Sequence, residues 1–178
     1  MKKKVFNIVV LIICILIILL LFNSSLKRKP SSSNVTTNLN TSCTHTATSF
    51  HCVKYLKNYD GDTITVEIPG VHPLLGKSIS IRVLGLDTPE RRTKDPCEKK
   101  AAVIVKALVE NKLKRAKRID LMDVKRGKYF RVVARVIADG QDLSKAIFQS
   151  GLAYEYDGKT KSAVNWCERI DRNTASKR

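Results

Sequence analysis

Residues 78–90 read SISIRVLGLDTPE, an alternating apolar run that leads into a polar segment. Isoleucine and valine at every second position are typical of a strand that buries one face. We predict a strand over residues 78–84, with Asp87, Thr88 and Glu90 just past its end. Arg82 lies on this strand, five residues before Asp87.

Similar patterns on both sides of this strand complete the predicted domain. Residues 50–59 and 63–68 are rich in β-branched and apolar side chains and predict two preceding strands of a meander. Further strands are predicted over residues 117–122 and 129–138. Helices are predicted from the cap Asp95 to about Asn111, from the cap Asp142 to Ser150, and over residues 161–172. This order indicates an α+β fold, mainly β, built as a small and partly open barrel capped by helices.

The amino terminus has the pattern of a membrane anchor. Residues 5–22 are apolar except for Asn7 and Cys14, and as a helix they would span about 27 Å, just enough to cross a bilayer. The following residues form a poor cleavage site, which favours an uncleaved anchor over a cleaved signal peptide. We predict an anchor in residues 1–26, a flexible polar linker in 27–49 and the folded domain in 50–174. The domain would then lie outside the cytoplasm on a bacterial cell envelope, or be secreted after cleavage.

Four cysteines follow the apolar segment: Cys43, Cys52, Cys97 and Cys167. An even number in an exported region permits two disulfides, with three possible pairings. We favour Cys97–Cys167, because its loop of about 70 residues would contribute on the order of 4 kcal/mol. Cys43–Cys52 is then the remaining pair. The alternative for these two cysteines is a metal site with His45 and His51, although the spacing matches no standard zinc module.

The charge balance favours an anionic partner. The chain carries 33 Lys and Arg against 16 Asp and Glu, a formal net charge of +17. No acidic residue precedes Asp60, yet residues 53–178 still hold an excess of basic residues. This balance excludes an acidic solvating chain and points to nucleic acid or a membrane surface. Net charge alone does not decide between these partners.

Acidic residues are concentrated in two short clusters. Asp60 and Asp62 lie between the first two predicted strands, while Asp87 and Glu90 follow the third. Antiparallel pairing of the strands brings these clusters together. Carboxylates gathered at one place are typical ligands of a hard cation. The alternative interpretation is that Asp-Gly and Asp-Thr-Pro are ordinary turn formers.

The ordered motifs resemble the staphylococcal nuclease, or thermonuclease, family. The resemblance extends from about residue 50 to residue 167 and is carried by YDGDT (59–63), RVLGLDTPE (82–90), KYFR (128–131) and GLAY (151–154). It implies an OB-type five-stranded barrel with about three helices. It also implies a calcium-dependent nuclease that acts on DNA and RNA, preferably single-stranded, with little sequence specificity.

The resemblance further implies a cation site made of oxygen ligands. Asp62, Asp87 and the backbone carbonyl of Thr88 would bind Ca²⁺ directly, and Asp60 would act through water. Two carboxylates that fix a cation leave positions open for water and for a phosphoryl oxygen.

Catalytic and substrate-binding roles follow from the same resemblance. Glu90 would take a proton from the attacking water, while Arg82 and Arg131 would hold the phosphate and neutralise its charge. Stacking on a base tolerates any sequence, which suits a nonspecific nuclease. The residues that resemble the aromatic side chains around the nucleotide are Tyr129, Tyr154 and Tyr156.

Two other function classes compete with the nuclease. A membrane-tethered OB-fold module that binds single-stranded nucleic acid without catalysis has no use for carboxylates that repel phosphate. A domain that binds anionic lipid explains the net charge but not the acidic clusters. We therefore predict a nuclease that is a monomer, has no protein partner and contacts the membrane through its N-terminal helix.

Overall fold

The computed structural model describes residues 42–175. Strands of alternating β-branched residues and capped helices give this part of the chain a mixed α+β architecture. The eight strands of this part are β1 (Lys54–Asn58), β2 (Thr63–Glu67), β3 (Ile79–Val83), β4 (Leu86–Asp87), β5 (Ile119–Arg126), β6 (Val132–Ala138), β7 (Gln141–Asp142) and β8 (Tyr154–Glu155). Its four helices are α1 (Pro73–Gly76), α2 (Pro96–Arg115), α3 (Leu143–Gln149) and α4 (Trp166–Ala175), and a 3-10 turn covers Lys128–Phe130.

The predicted membrane anchor lies outside the described residues. Within residues 42–175, no helix has the length and apolar character that crossing a membrane requires. The anchor therefore stays a prediction from sequence.

The main sheet has the strand order β1-β2-β3-β6-β5, with β7 paired to β6. β3 and β6 run parallel, and the remaining pairs of this sheet are antiparallel. Phe50 exchanges two backbone hydrogen bonds with Leu121 of β5, and the Val53 N–H donates to the Ile119 carbonyl at 2.9 Å. Because residues 50–53 lead directly into β1, these bonds connect the two edge strands. The arrangement is consistent with an OB fold.

The hydrophobic core lies between the inner face of the sheet and α2. Alternate residues of β2 and β3 are fully buried, as the period of two along a strand requires. Helix α2 adds apolar residues at helical spacing, and Asp95 caps it by accepting from the Cys97 and Glu98 N–H groups at 2.8 and 3.3 Å. The core side chains of these three elements are Ile64, Val66, Ile81, Val83, Ala101, Val105 and Val109.

Several element boundaries differ from the predicted ones: β1 begins at Lys54 rather than at residue 50, and β5 continues to Arg126 rather than ending at residue 122. Helix α2 continues to Arg115 rather than ending near Asn111, because Leu113 is buried and basic residues of the last turn favour the negative helix end. Strand β6 begins at Val132 rather than at residue 129. There the Gly127 N–H donates to the Arg131 carbonyl at 2.7 Å and closes a tight turn. The last helix begins at Trp166, not at residue 161.

Residues 43–49, ahead of the predicted domain start, contact the folded domain. The Val124 N–H of β5 donates to the Thr48 carbonyl at 2.9 Å. His45 Nε2 lies 2.6 Å from the Pro69 carbonyl oxygen. These contacts place the segment against the sheet and against the turn after β2.

Two disulfides cross-link the described part of the chain. Cys43 is bonded to Cys52, which leaves no free thiol there for the alternative metal site. Cys97 at the start of α2 is bonded to Cys167 in α4, with the two Cα atoms 5.0 Å apart. The second disulfide therefore fixes the last helix to the longest one.

Candidate active site

Strand pairing brings the two acidic segments to one end of the sheet. In the β2–β3 pair, Thr63 lies opposite Arg82, so the preceding residue, Asp62, lies beside the end of β3. After β3 the chain turns at Gly85, whose φ of +86° favours glycine. Strand β4 then carries Asp87 to the same place.

Gly61 allows the turn before β2 to approach helix α2. A Cβ at this position would lie 2.8 Å from a Val105 methyl group and 2.9 Å from the Thr88 methyl group. Side chains do not pack this closely, so a larger residue would displace the turn. The glycine between Asp60 and Asp62 is therefore needed to place both aspartates.

Arg82 joins the two acidic segments. Its guanidinium donates to Asp62 Oδ1 through Nη1 and to Asp87 Oδ1 through Nη2, and Nη2 also donates to the Leu86 carbonyl at 3.3 Å. The aspartate side chains are only 3% and 2% exposed, and that of Arg82 is 14% exposed. Charge-assisted hydrogen bonds that are shielded from solvent are strong and directional. The structure thus brings Asp62, Arg82 and Asp87 together.

The second carboxylate oxygen of Asp62 is bound by Thr88. Asp62 Oδ2 accepts from the Thr88 N–H and from its hydroxyl, each at 3.0 Å. Asp60 Oδ1 accepts the Asp62 N–H at 3.1 Å. Burial raises the pKa of Asp62 above its usual range, and the charge of Asp60 adds to that rise while Arg82 opposes it. Three buried aspartates therefore lie around one guanidinium, which is a local excess of negative charge.

Asp87 has two further donors. Strand β4 pairs with β8 so that Tyr154 lies opposite Asp87, and the Tyr154 hydroxyl donates to Asp87 Oδ2 at 2.6 Å. The Lys161 ammonium lies 3.0 Å from the same oxygen. Burial disfavours the charged form of Asp87, but the hydrogen bonds from Tyr154, Lys161 and Arg82 outweigh it and lower the pKa. Asp87 is therefore an anion in the folded protein.

Glu90 lies at the surface beyond the buried aspartates. Its side chain is 49% exposed, and its Oε1 is 2.5 Å from the Lys161 ammonium. The Glu90 N–H donates to Glu98 in the first turn of α2 at 3.0 Å, which fixes the backbone at this position. Lys161 thus bridges Asp87 and Glu90, a contact that the sequence did not predict.

A cleft of about 810 Å³ opens beside Arg82. Both arginines that the sequence analysis assigns to phosphate binding, Arg82 and Arg131, line it. The parallel β3–β6 pair explains why both arginines face one cleft. Val132 lies opposite Ile81 in this pair, so Arg131, the residue before Val132, lies beside β3. The other polar side chains of the lining are two lysines, two acids and two hydroxyl-bearing residues: Lys125, Lys128, Glu155, Asp157, Tyr156 and Thr160. Arg82 therefore both lines the cleft and binds the buried aspartates Asp62 and Asp87.

A comparison with models of protein families places the chain in one of them. The model of the staphylococcal nuclease homologue family matches residues 80–175, more than half of the chain. The chain belongs to this family. The matched segment includes Arg82, Asp87 and Arg131, while Asp62 precedes it and reaches the site through the β2–β3 pair. None of the curated proteins compared with the chain matches it.

Membership of the staphylococcal nuclease homologue family implies a calcium ion, which requires oxygen ligands. Among residues 42–175, no group of three or more His, Cys, Asp or Glu side chains is arranged to hold a metal ion. The predicted site has only two side-chain ligands, Asp62 and Asp87, and one backbone ligand, the Thr88 carbonyl. These are oxygen donors at a point with excess buried negative charge. The donor chemistry fits a hard cation.

The three predicted nucleotide-contacting tyrosines have different surroundings. Tyr129 is 87% exposed in the 3-10 turn, with a φ of +56°. Tyr156 lines the cleft, and its ring centre lies 5.8 Å from the Arg82 guanidinium carbon. Tyr154 instead binds Asp87 through its hydroxyl, and its ring centre is 6.3 Å from that of Trp166. Tyr154 therefore positions a carboxylate, while the other two present accessible rings.

Proposed function

We propose that this chain is a calcium-dependent nuclease that hydrolyses phosphodiester bonds in DNA and RNA with little sequence specificity. Its family supports the nuclease class. The observation that carries the proposal is that Arg82 binds two buried aspartates and also lines a cleft with Arg131. A cleft for phosphate beside a carboxylate cluster serves hydrolysis, because binding alone gains nothing from acids that repel phosphate.

The side chains divide the chemistry between them. Arg82 and Arg131 hold the scissile phosphate and offset the negative charge that develops on it. Glu90 lies outside the buried cluster, where water reaches it, and accepts the proton of the attacking water. Tyr154 holds Asp87 in place through its hydroxyl.

The cation would be held by Asp62, Asp87 and the Thr88 carbonyl, with Asp60 acting through water. When bound, calcium supplies a Lewis acid and a template for the phosphate. A site with so few carboxylates binds calcium weakly. Weak binding is sufficient outside the cytoplasm, where extracellular modules have dissociation constants of about 0.1 to 1 mM.

The substrate is single-stranded nucleic acid. Lys125 and Lys128 in the cleft contact the nucleic-acid backbone. Tyr129 and Tyr156 stack on bases, and each stack contributes about 1 to 3 kcal/mol. The formal net charge of +17 attracts this substrate without regard to its sequence.

The barrel closure, the oligomeric state and the location of the protein are further parts of the proposal. We propose that the five strands β1, β2, β3, β6 and β5 close into an OB-type barrel, because residues 50–53 connect its edges. The chain is a monomer on a single N-terminal anchor in the bacterial cell envelope, with the domain outside the cytoplasm; secretion after cleavage is the alternative.

Cleavage of single-stranded DNA by the full chain tests the proposal. We expect cleavage with calcium and none with a chelator. Glu90→Gln should lower the rate by about 10² to 10⁴-fold while DNA binding survives, because only the proton acceptor is lost. Glu67→Gln is the matched control, since Glu67 pairs with Lys54 on the neighbouring strand and should keep the wild-type rate. An undiminished rate for Glu90→Gln removes Glu90 from its role.

One observation favours the non-catalytic module as a second candidate. The Lys161 ammonium contacts both Asp87 and Glu90, so the two carboxylates that the chemistry needs are already paired. Binding of single-stranded DNA without cleavage at any calcium concentration would support this module over the nuclease.

A further inference from the structure

Lys161 lies in a segment without helix or strand between β8 and α4. Its ammonium is 2.5 Å from Glu90 Oε1 and 3.0 Å from Asp87 Oδ2. Asp87 is almost fully buried, whereas the Lys161 side chain is 46% exposed. A flexible side chain therefore reaches inward from the surface to a buried carboxylate.

An ammonium and a hard divalent cation compete for the same ligands. Both bind carboxylate oxygens, and Asp87 Oδ2 is already shared with the Tyr154 hydroxyl, while Asp87 Oδ1 is held by Arg82. A second cation beside Lys161 would meet like-charge repulsion at a distance of a few ångström. Lys161 and a divalent cation at Asp87 are therefore mutually exclusive or strongly antagonistic.

We propose that Lys161 is a tethered competitor that must leave Asp87 before a divalent cation binds there, and that it thereby sets the cation affinity. The inference rests on the proposed function, because that function places the cation at Asp87. Lys161 is a positioning residue, since it acts through Asp87 and Glu90.

The surrounding contacts couple this competition to the cleft. The segment before Lys161 is held by the Lys128 ammonium, which donates to the Gly158 carbonyl at 2.6 Å. Gly158 and Thr160 of the same segment line the cleft with Arg82 and Arg131. Departure of Lys161 from Asp87 removes one of the contacts that hold this segment, although the Lys128 contact stays. Cation binding and nucleic-acid binding are therefore linked through residues 157–161.

Calcium binding to the full chain, measured by isothermal titration calorimetry, tests the proposal. Lys161→Gln removes the competing charge and should bind calcium about tenfold more tightly than wild type. Lys161→Arg keeps the charge and should stay near the wild-type affinity. Lys159→Gln is the matched control: it lies in the same segment, changes net charge equally and pairs with Asp157, so its affinity should change by less than about twofold.

Hydrogen exchange separates displacement from simple repulsion. On saturation with calcium, the amides of residues 157–165 in the wild-type chain should exchange faster, because Lys161 no longer ties the segment to Asp87. In Lys161→Gln the same amides should already exchange fast without calcium. Equal calcium affinity in Lys161→Gln and Lys159→Gln, or exchange that calcium leaves unchanged in the wild-type chain, would overturn the proposal.

The outcome is independent of the nuclease test. If Lys161→Gln binds calcium more tightly than Lys159→Gln but the chain cleaves no DNA, the proposed nuclease function is wrong and the competition by Lys161 is supported. If the chain cleaves DNA but both glutamine variants have the same calcium affinity, the nuclease function is supported and the competition by Lys161 is wrong. No binding by any variant up to about 10 mM calcium, well above the weakest extracellular sites, overturns the role of Lys161.

Discussion

At the level of single residues, Arg82 holds the candidate site together. Its planar guanidinium donates through two nitrogens to two different aspartates and also to the Leu86 carbonyl. A lysine carries one compact ammonium and lacks this fork. The position therefore requires arginine for geometry as well as for charge.

Arg82→Lys should lower the free energy of unfolding by about 2 kcal/mol, because one buried aspartate loses its charge-assisted hydrogen bond from the guanidinium. It should also reduce DNA cleavage by about 10² to 10³-fold. Urea denaturation and a cleavage assay measure the two effects. Arg135→Lys is the matched control, because Arg135 pairs with Asp123 at the surface and its change should cost no more than about 1 kcal/mol. Equal stability of both variants would contradict the importance of the fork.

Sequence patterns predicted the buried members of the site because each follows a recognisable strand. Asp62 and Asp87 lie beside the ends of β2 and β3, so the β2–β3 pair and the turn at Gly85 bring them together. Lys161 was beyond such reasoning, since its partner Glu90 is 71 residues away and the local pattern predicted a helix start there. The bond from Tyr154 to Asp87 was missed because it depends on β4–β8, a pair of two-residue strands.

At the scale of elements, strand β5 anchors the segment that precedes β1. Asp120 of β5 accepts the Cys52 N–H at 2.8 Å. Both of its carboxylate oxygens share the Arg118 Nε–H, and His51 Nδ1 lies 3.5 Å from Oδ1. Burial disfavours the Asp120 anion, but the bonds from Arg118 and Cys52 outweigh it and lower the pKa. The charged carboxylate thus helps to hold the two elements together.

Asp120→Asn should therefore lose a pH-dependent part of the stability. A carboxyl whose pKa is lower in the folded state stabilises the protein above its unfolded pKa of about 3.9, and this contribution disappears as the pH falls through the folded value. The stability difference between wild type and Asp120→Asn should be largest near neutral pH and shrink below about pH 3.9.

Urea denaturation across this pH range measures the difference. Asp123→Asn, an exposed aspartate of the same strand, is the control and should show a much smaller pH-dependent loss. A stability difference for Asp120→Asn that stays constant down to strongly acidic pH would contradict the assignment.

The boundaries of elements were less predictable than their order. Strand order and helix caps follow from local patterns, and both Asp95 and Asp142 cap helices as predicted. The start of β6 depends on the turn between Gly127 and Arg131, in which Tyr129 adopts a left-handed conformation. A tyrosine carries no sequence signal for that conformation, because the region favours glycine and asparagine.

At the scale of the whole molecule, two disulfides close loops of very different length. Cys97–Cys167 encloses a sequence separation of 70 residues and Cys43–Cys52 one of 9. The entropy that a cross-link removes from the unfolded chain grows with the logarithm of the loop length. The longer loop should therefore contribute more to stability.

Replacing Cys97 and Cys167 by serine should lower the free energy of unfolding by about 4 kcal/mol, against about 2.5 kcal/mol for the Cys43 and Cys52 pair. Urea denaturation under non-reducing conditions compares both double variants with the wild type. A larger loss for the Cys43 and Cys52 pair would contradict a loop-entropy origin.

The most direct measurement of the central claim is calcium-dependent cleavage of single-stranded DNA by Asp62→Asn. Asp62 lies before the segment that the family model matches and reaches Arg82 only through the folded strand pair. The substitution keeps the shape of the side chain and removes its charge. We predict that Asp62→Asn folds, binds DNA and cleaves it at least about 10²-fold more slowly. Cleavage by Asp62→Asn at the wild-type rate would contradict the account.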